Sequence, residues 1–126
     1  MILAIRTDAP TAHLYLLDVG GKLAAQHEYV ADRNLANSLL GEIEKFISSR
    51  QLGLSQLTGV AYYSGAGSFT GLRIGASVAN AMAYSLHIKV AKVPGETWLD
   101  DAVSALAKVQ LGDYPAPDYD REANIT

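Results

Sequence analysis

Cysteine is absent from the 126-residue chain, which excludes disulfides, thiolate metal sites and cysteine nucleophiles and leaves nothing that points to an oxidising compartment. Positive charge is sparse: 10 Lys and Arg stand against 13 Asp and Glu, for a formal net charge of −3. Arg6, Arg33, Arg50, Arg73 and Arg121 are scattered and form no run, so the electrostatic footprint of an autonomous nucleic-acid binder is missing. No stretch reaches the roughly 20 apolar residues of a membrane span. The N-terminus begins directly on Ile2-Leu3-Ala4-Ile5, without a basic leader region. The expectation is a soluble, cytoplasmic chain with no membrane partner.

Catalytic groupings are also lacking. His13, His27 and His87 lie far apart, and none is spaced to share a metal with another histidine or acid on one helical face. Ser68 sits in Gly67-Ser68-Phe69, not in a Gly-x-Ser-x-Gly elbow, and its ordinary role is a hydroxyl bonded to the turn backbone. Asp100-Asp101 and Glu42-x-Glu44 are helical neighbours pointing in different directions, and are expected to be solvated. No catalytic, metal or cofactor-binding residue is therefore named, and the chain is expected not to be an enzyme by itself.

What is present is enough aliphatic content for one core, in a chain the size of one domain. Residues 1–5 form a short apolar run fit for a central strand. After the break at Asp8-Ala9-Pro10, residues 12–19 continue it, and Gly20-Gly21 turns the chain into a third strand over 22–30. Asp32 or Asn34 is placed to cap a helix over 34–49, whose apolar face gathers Leu35, Leu39, Leu40, Ile43, Phe46 and Ile47. Strand 60–63, a helix opening near Thr70 or Gly71 and running to 86, strand 88–93 and a last amphipathic segment over 96–111 complete the order βββαβαβα. This is a mixed α/β domain over 1–111, with Trp98 as a packing anchor. Pro115 and Pro117 make residues 112–126 a C-terminal tail expected to run over the surface.

The junction Ser64-Gly65-Ala66-Gly67-Ser68-Phe69-Thr70-Gly71 joins the most strand-like run to the most helix-like one. Such a turn invites a phosphate reading, but no Gly-Lys-Ser/Thr stands at P-loop spacing. A Gly-x-Gly-x-x-Gly fingerprint fails by one residue, because Thr70 precedes Gly71. A small dinucleotide-binding enzyme, with Glu96 toward a ribose, is the alternative. Beyond the turn, Gly71, Gly75, Ala79 and Ala83 recur every fourth residue on one helical face, beside a ridge of Ile74, Val78 and Met82. The small stripe suits close packing on the helix's own sheet or on a helix of another chain. The first helix carries its own small or polar side at Asn34, Asn37, Ser38 and Gly41, and Gly41 costs about 1 kcal/mol relative to alanine in a helix interior.

The run Gly65-Ala66-Gly67-Ser68-Phe69-Thr70-Gly71-Leu72-Arg73-Ile74-Gly75 resembles the signature of the bacterial TsaB (YeaZ) family, Gly-Pro-Gly-Ser-Phe-Thr-Gly-Leu/Val-Arg-Ile-Gly, with Ala66 in place of the proline. Its signature loop would thus be Gly65, Gly67, Ser68, Phe69, Thr70 and Arg73. The resemblance implies a single actin-like (ribonuclease-H-like, ASKHA) half domain. It also implies a non-catalytic subunit of the machinery that forms threonylcarbamoyladenosine beside the tRNA anticodon. In that family TsaB pairs with the catalytic TsaD through a helical bundle, and the ATPase TsaE joins them. The implied partners are a TsaD-type subunit as heterodimer, a TsaE-type ATPase, a second copy when alone, and tRNA only through the complex.

Departures from the pattern are visible. Arg6-Thr7 replaces the Asp-Thr often retained in the first hairpin and is read as structural or surface, with Asp8 capping the turn. Asn34-Leu35 stands where relatives commonly have histidine followed by Ser or Thr. Pro117-Asp118-Tyr119-Asp120-Arg121 resembles the Pro-x-Tyr-x-Arg ending of full-length relatives, so a reduced form lacking the second subdomain is expected. The partner interface is placed on Asn34, Asn37, Ser38, Gly41, Gly71, Gly75, Ala79 and Ala83. On this assignment, Gly75→Arg or Ala79→Arg would weaken association far more than stability.

A mildly acidic chain without clustered arginines should not bind tRNA tightly by itself. Filter-binding or anisotropy titration at physiological salt is expected to show no submicromolar affinity.

Overall fold

The computed structural model describes residues 1–115. Its elements are β1 (Ile2–Arg6), β2 (Thr11–Leu17), β3 (Leu23–Val30), α1 (Leu35–Ser49), β4 (Gly59–Tyr63), α2 (Phe69–Leu86), β5 (Lys89–Val93) and α3 (Trp98–Lys108). Short 3₁₀ turns at Asp32–Asn34 and Leu54–Gln56 precede α1 and β4 respectively. The order βββαβαβα matches the sequence expectation. The strands form one sheet in the order β3-β2-β1-β4-β5, antiparallel across β3-β2-β1 and parallel across β1-β4-β5. The Asp18 carboxylate sets the β2–β3 turn by accepting the amides of Gly20 and Lys22, each at 2.9 Å.

Strand alternation assigns the two faces. Leu3, Ile5, Leu14, Leu16, Val60, Tyr62 and Val90 point to one side, where α1 covers them with Leu39, Ile43 and Ile47 and α2 with Ala76, Ala79 and Ala83. Ile2, Ala4, Ala61, Tyr63, Ala91 and Val93 point to the other, under Trp98, Ala102 and Leu106 of α3. Trp98 is the anchor expected of it, edge-on to both Tyr15 and Tyr63. The buried line of α3 is Trp98, Ala102 and Leu106, with Leu99, Val103 and Val109 half-buried beside it.

Several local expectations are corrected. Neither Asp32 nor Asn34 caps α1 with its side chain. The chain enters α1 through a 3₁₀ turn in which the Pro10 carbonyl accepts the amides of Ala31 and Asp32. Leu40, expected on the buried face of α1, is 48 % exposed and lies beside the groove between α1 and α2. A Cβ at Gly41 would meet nothing within 4 Å, so among the described residues no helix packs against it.

The small stripe of α2 is turned inward. Gly71, Gly75, Ala79 and Ala83 are all buried, and the helix lies so close to the end of β1 that a Cβ on Gly71 would overlap the Thr7 carbonyl oxygen. A Cβ on Gly75 would overlap Thr7 Oγ1. Thr7 is buried, and its hydroxyl donates to the Gly71 carbonyl at 2.7 Å. The stripe packs on the helix's own sheet, so Gly75→Arg or Ala79→Arg would put a guanidinium into the core.

The two kinds of glycine should separate in urea unfolding. Gly71→Ala is expected to destabilise by about 1–3 kcal/mol through overpacking against backbone. Gly41→Ala, exposed in a helix interior, is expected to stabilise by about 0.5–1 kcal/mol.

Candidate partner-binding face

The junction between β4 and α2 is built on the neighbouring β1–β2 turn. The Ser68 amide donates to the Asp8 carbonyl at 2.8 Å, and Gly67, at φ +147°, lies so close that a Cβ there would strike Asp8. Ser68 caps α2, its Oγ accepting the Gly71 amide at 3.3 Å, as its sequence context implies. Tyr63 ends β4 with its hydroxyl donating to the Ala66 carbonyl at 3.1 Å. The amides of Ser68 and Gly71 are thus committed inside the protein, and a carboxylate-bearing turn packs against Gly67. Two of the turn's donors, the Ser68 and Gly71 amides, are therefore closed to a pyrophosphate.

Arg6 and Asp8 form a second fixed feature beside this turn. The guanidinium reaches the carboxylate through two bonds, Nε to Oδ1 at 2.9 Å and Nη2 to Oδ2 at 3.0 Å, and lies 4.0 Å from the Tyr63 ring centroid. Arg6, read from the sequence as structural or surface, is held by Asp8 in this bidentate pair. The Arg6 hydrogen bond holds the Asp8 carboxyl below its ordinary value against an opposing push from burial, and the same bond raises the Arg6 value.

The surface on the opposite side of the sheet from α3 is different. Along α2, Thr70, Ser77, Ala81, Tyr84 and Ser85 are exposed, and Arg73 is the one charged residue between Phe69 and Leu86. A groove between α1 and α2 continues this surface. At one end Ala36, Phe69, Thr70, Arg73, Ile74, Ser77 and Val78 line it. At the other, Leu40, Leu54, Val78, Met82 and Leu86 give it an apolar floor beside Glu44, Ala81 and Ser85. The Arg73 guanidinium carbon lies 5.5 Å from the Phe69 ring centroid.

Only part of the sequence-assigned interface reaches this surface. Asn34 and Asn37 are exposed on α1 and bonded to each other, Nδ2 of Asn37 donating to Oδ1 of Asn34 at 3.4 Å, and Gly41 is exposed beside them. Ser38 faces β3, with its hydroxyl 3.0 Å from that of Tyr29. Gly71, Gly75, Ala79 and Ala83 lie under the helix. Among the signature residues, Phe69, Thr70 and Arg73 meet the groove, whereas Gly65, Gly67 and Ser68 belong to the turn. The exposed Ser77, Ala81, Tyr84 and Ser85 were missed, although their one-sided lack of charge was legible. The Pro117–Arg121 ending lies outside the described residues. Among the described residues, no group of three His, Asp or Glu is placed to hold a metal, and no helix is long and apolar enough to cross a membrane.

Comparison with known proteins gives consistent matches. Residues 27–105 match the family model described as TsaD: tRNA N6-adenosine threonylcarbamoyltransferase. The chain is 28% identical over 109 residues to the tRNA threonylcarbamoyladenosine biosynthesis protein TsaB of Haemophilus influenzae, covering 86% of this chain and 45% of that protein. The solved structure of YeaZ from Pseudomonas aeruginosa superposes with a TM-score of 0.66 at 29% identity, over 74% of this chain and 43% of that one. A second structure from that organism, titled an uncharacterized protein with similarity to peptidase YEAZ, has the same TM-score and identity over 74% of this chain and 42% of its own. The chain therefore spans less than half the length of these relatives, and its sheet and helices share their actin-like fold.

The Asp8 carboxyl has a folded-state pKa below its unfolded one, so its contribution is present above the unfolded value, about 4. That contribution is lost as pH falls through the folded value. Asp8→Asn is expected to lower stability at neutral pH and to flatten the acid limb below about pH 4 in urea unfolding, with the two proteins converging at lower pH.

Proposed function

We propose, for a chain that belongs to the threonylcarbamoyltransferase family described by that model and within it to the TsaB (YeaZ) proteins, that it is a non-catalytic partner subunit in forming threonylcarbamoyladenosine beside the tRNA anticodon. Its work is to pair with a TsaD-type catalytic subunit and support it. A TsaE-type ATPase joins the pair, tRNA is met only through the complex, and without the catalytic subunit two copies associate through the same face. The observation that carries this reading is the charge-poor outer side of α2, with the apolar-floored groove between it and α1. Solvent-facing helix surfaces are normally rich in charge, whereas the centres of protein interfaces are depleted of it.

The groove also suits the approach of a partner helix. Ala36, Ser77, Ala81 and Ser85 are short enough to admit another backbone, while Leu40 and Val78 supply apolar contact between them. Two amides of the signature turn fit a positioning role, because that of Ser68 ties the turn to Asp8 and that of Gly71 closes the cap of α2. The surface residues of this proposal therefore replace the inward stripe while keeping the two helices originally expected to form the interface.

The test introduces Ser77→Arg and Ala81→Arg separately into the chain and measures binding to the TsaD-type subunit of the same organism by calorimetry. Each variant is expected to weaken binding at least about tenfold, or about 1.4 kcal/mol, with a melting temperature close to that of the parent. Folded variants that bind with unchanged affinity would place the interface elsewhere. A parent chain without affinity for that subunit would remove the pairing itself.

A further inference from the structure

The two outer strands of the sheet are built differently. β5 is five residues long, carries Lys89 and Lys92 and stops at Pro94, features by which edge strands resist pairing with another chain. β3 is eight residues long and holds neither lysine nor proline. Its one irregularity is the register shift opposite Leu16 and Leu17, where Ala24 is the extra residue. Residues 25–30 are therefore a regular edge, and among the described residues no strand pairs with its outer side.

The register shows which backbone groups this edge offers. The Ala31 amide donates to the Pro10 carbonyl at 2.9 Å, so by antiparallel alternation Tyr29, His27 and Ala25 are also hydrogen-bonded to β2. The N–H and C=O groups of Gln26, Glu28 and Val30 then point outward. Apolar side chains stand open to solvent at both ends of the strand, Leu23 at 45% and Val30 at 75% exposure. Between them, Glu28 lies 3.4 Å from His13, and His27 lies 3.4 Å from Glu42 of α1.

We propose that β3 pairs antiparallel with β3 of a second copy about a two-fold axis at His27, joining two five-stranded sheets into one. Side chains directly opposite in such a ladder share a face, so the axis passes through a residue, and Gln26, His27 and Glu28 are the central choices. An axis at Glu28 sets two carboxylates directly opposite each other, which is unfavourable. An axis at Gln26 sets Val30 against Lys22 and carries more of the ladder through the irregular end. An axis at His27 sets Gln26 of each copy opposite Glu28 of the other, amide against carboxylate, with the outward backbone groups of both pairs bonded. The two Glu28 carboxylates are then diagonal neighbours, each beside its own His13. Ala25 meets Tyr29, and each Val30 reaches Ala24 and Leu23 of the other copy, so the exposed apolar ends cover each other. The strand is thus self-complementary in charge and in apolar surface in this register. These contacts lie on β3 and not on the outer side of α2, so the pairing goes beyond the partner reading and stands without it.

The absence of cysteine makes a cross-linking test clean in the full chain. On the axis, residue 27 forms a non-hydrogen-bonded pair with its own counterpart, whose Cα atoms lie about 4.5 Å apart, within reach of a disulfide. Residue 24 lies six positions from its counterpart, about 20 Å at about 3.4 Å per residue. His27→Cys is expected to form an intermolecular disulfide at least about tenfold faster than Ala24→Cys, which is also exposed and reports random collision. Equal rates overturn the pairing. Sedimentation equilibrium is then run on the chain carrying Ala81→Arg, which closes the α2 face to a second copy. A dimer is expected, and adding Val30→Lys is expected to weaken it at least about tenfold. Adding Gln26→Pro instead, which removes an outward N–H that β2 does not use, is expected to abolish it. An Ala81→Arg chain that stays monomeric at about 100 μM, or a dimer indifferent to Val30→Lys, overturns the pairing. Partner binding unchanged by Ala81→Arg counts against the α2 reading alone.

Discussion

The contact between Thr7 and the first turns of α2 is the constraint on which the rest of the structure depends. Its hydroxyl is satisfied by the Gly71 carbonyl, and Gly71 and Gly75 leave no side chain between the helix and the end of β1. Such closeness fixes the height and rotation of α2 over the sheet. Ala79 and Ala83 then extend the contact into the core, while Ser77, Ala81 and Ser85 are carried to the outer surface. The outer face is thus a consequence of the inner one, because a helix held this tightly presents a surface of fixed orientation.

The β1–β2 turn supports that arrangement from the other side. The Asp8 carbonyl accepts the Ser68 amide, and its carboxylate accepts Nε and Nη2 of Arg6, which lies over Tyr63. Tyr63 in turn meets Trp98 edge-on. A chain of contacts therefore runs from the signature turn through the arginine to α3, joining the two faces of the sheet near the ends of its parallel strands. Where open α/β sheets often hold a ligand, the Ser68 and Gly71 amides and the Asp8 carboxylate are engaged in internal bonds.

Much of the fold was legible because local chemistry and tertiary packing agree. Alternation in β1 and β2, the turn residues at Gly20-Gly21 and the proline-free run of α2 each have a local cause that packing reinforces. Leu40 shows where the agreement ends, since the helical period places it beside Leu39 and Ile43 but cannot say that it borders the open groove between α1 and α2. The same applies to Asp32 and Asn34, which have capping chemistry yet make no cap because the Pro10 carbonyl already organises the entry turn.

The sequence by itself determined the element order, the α/β class, the signature turn and the resemblance to the TsaB family, because these rest on periodicity, turn chemistry and a nearly contiguous motif. It also determined that α2 has a small stripe and an almost chargeless exterior. Only the tertiary structure decided which of those faces is inside. A four-residue repeat records that small side chains share a line, and any close backbone neighbour satisfies it equally well; the neighbour here is Thr7, distant in sequence and brought under Gly71 and Gly75 by strand pairing.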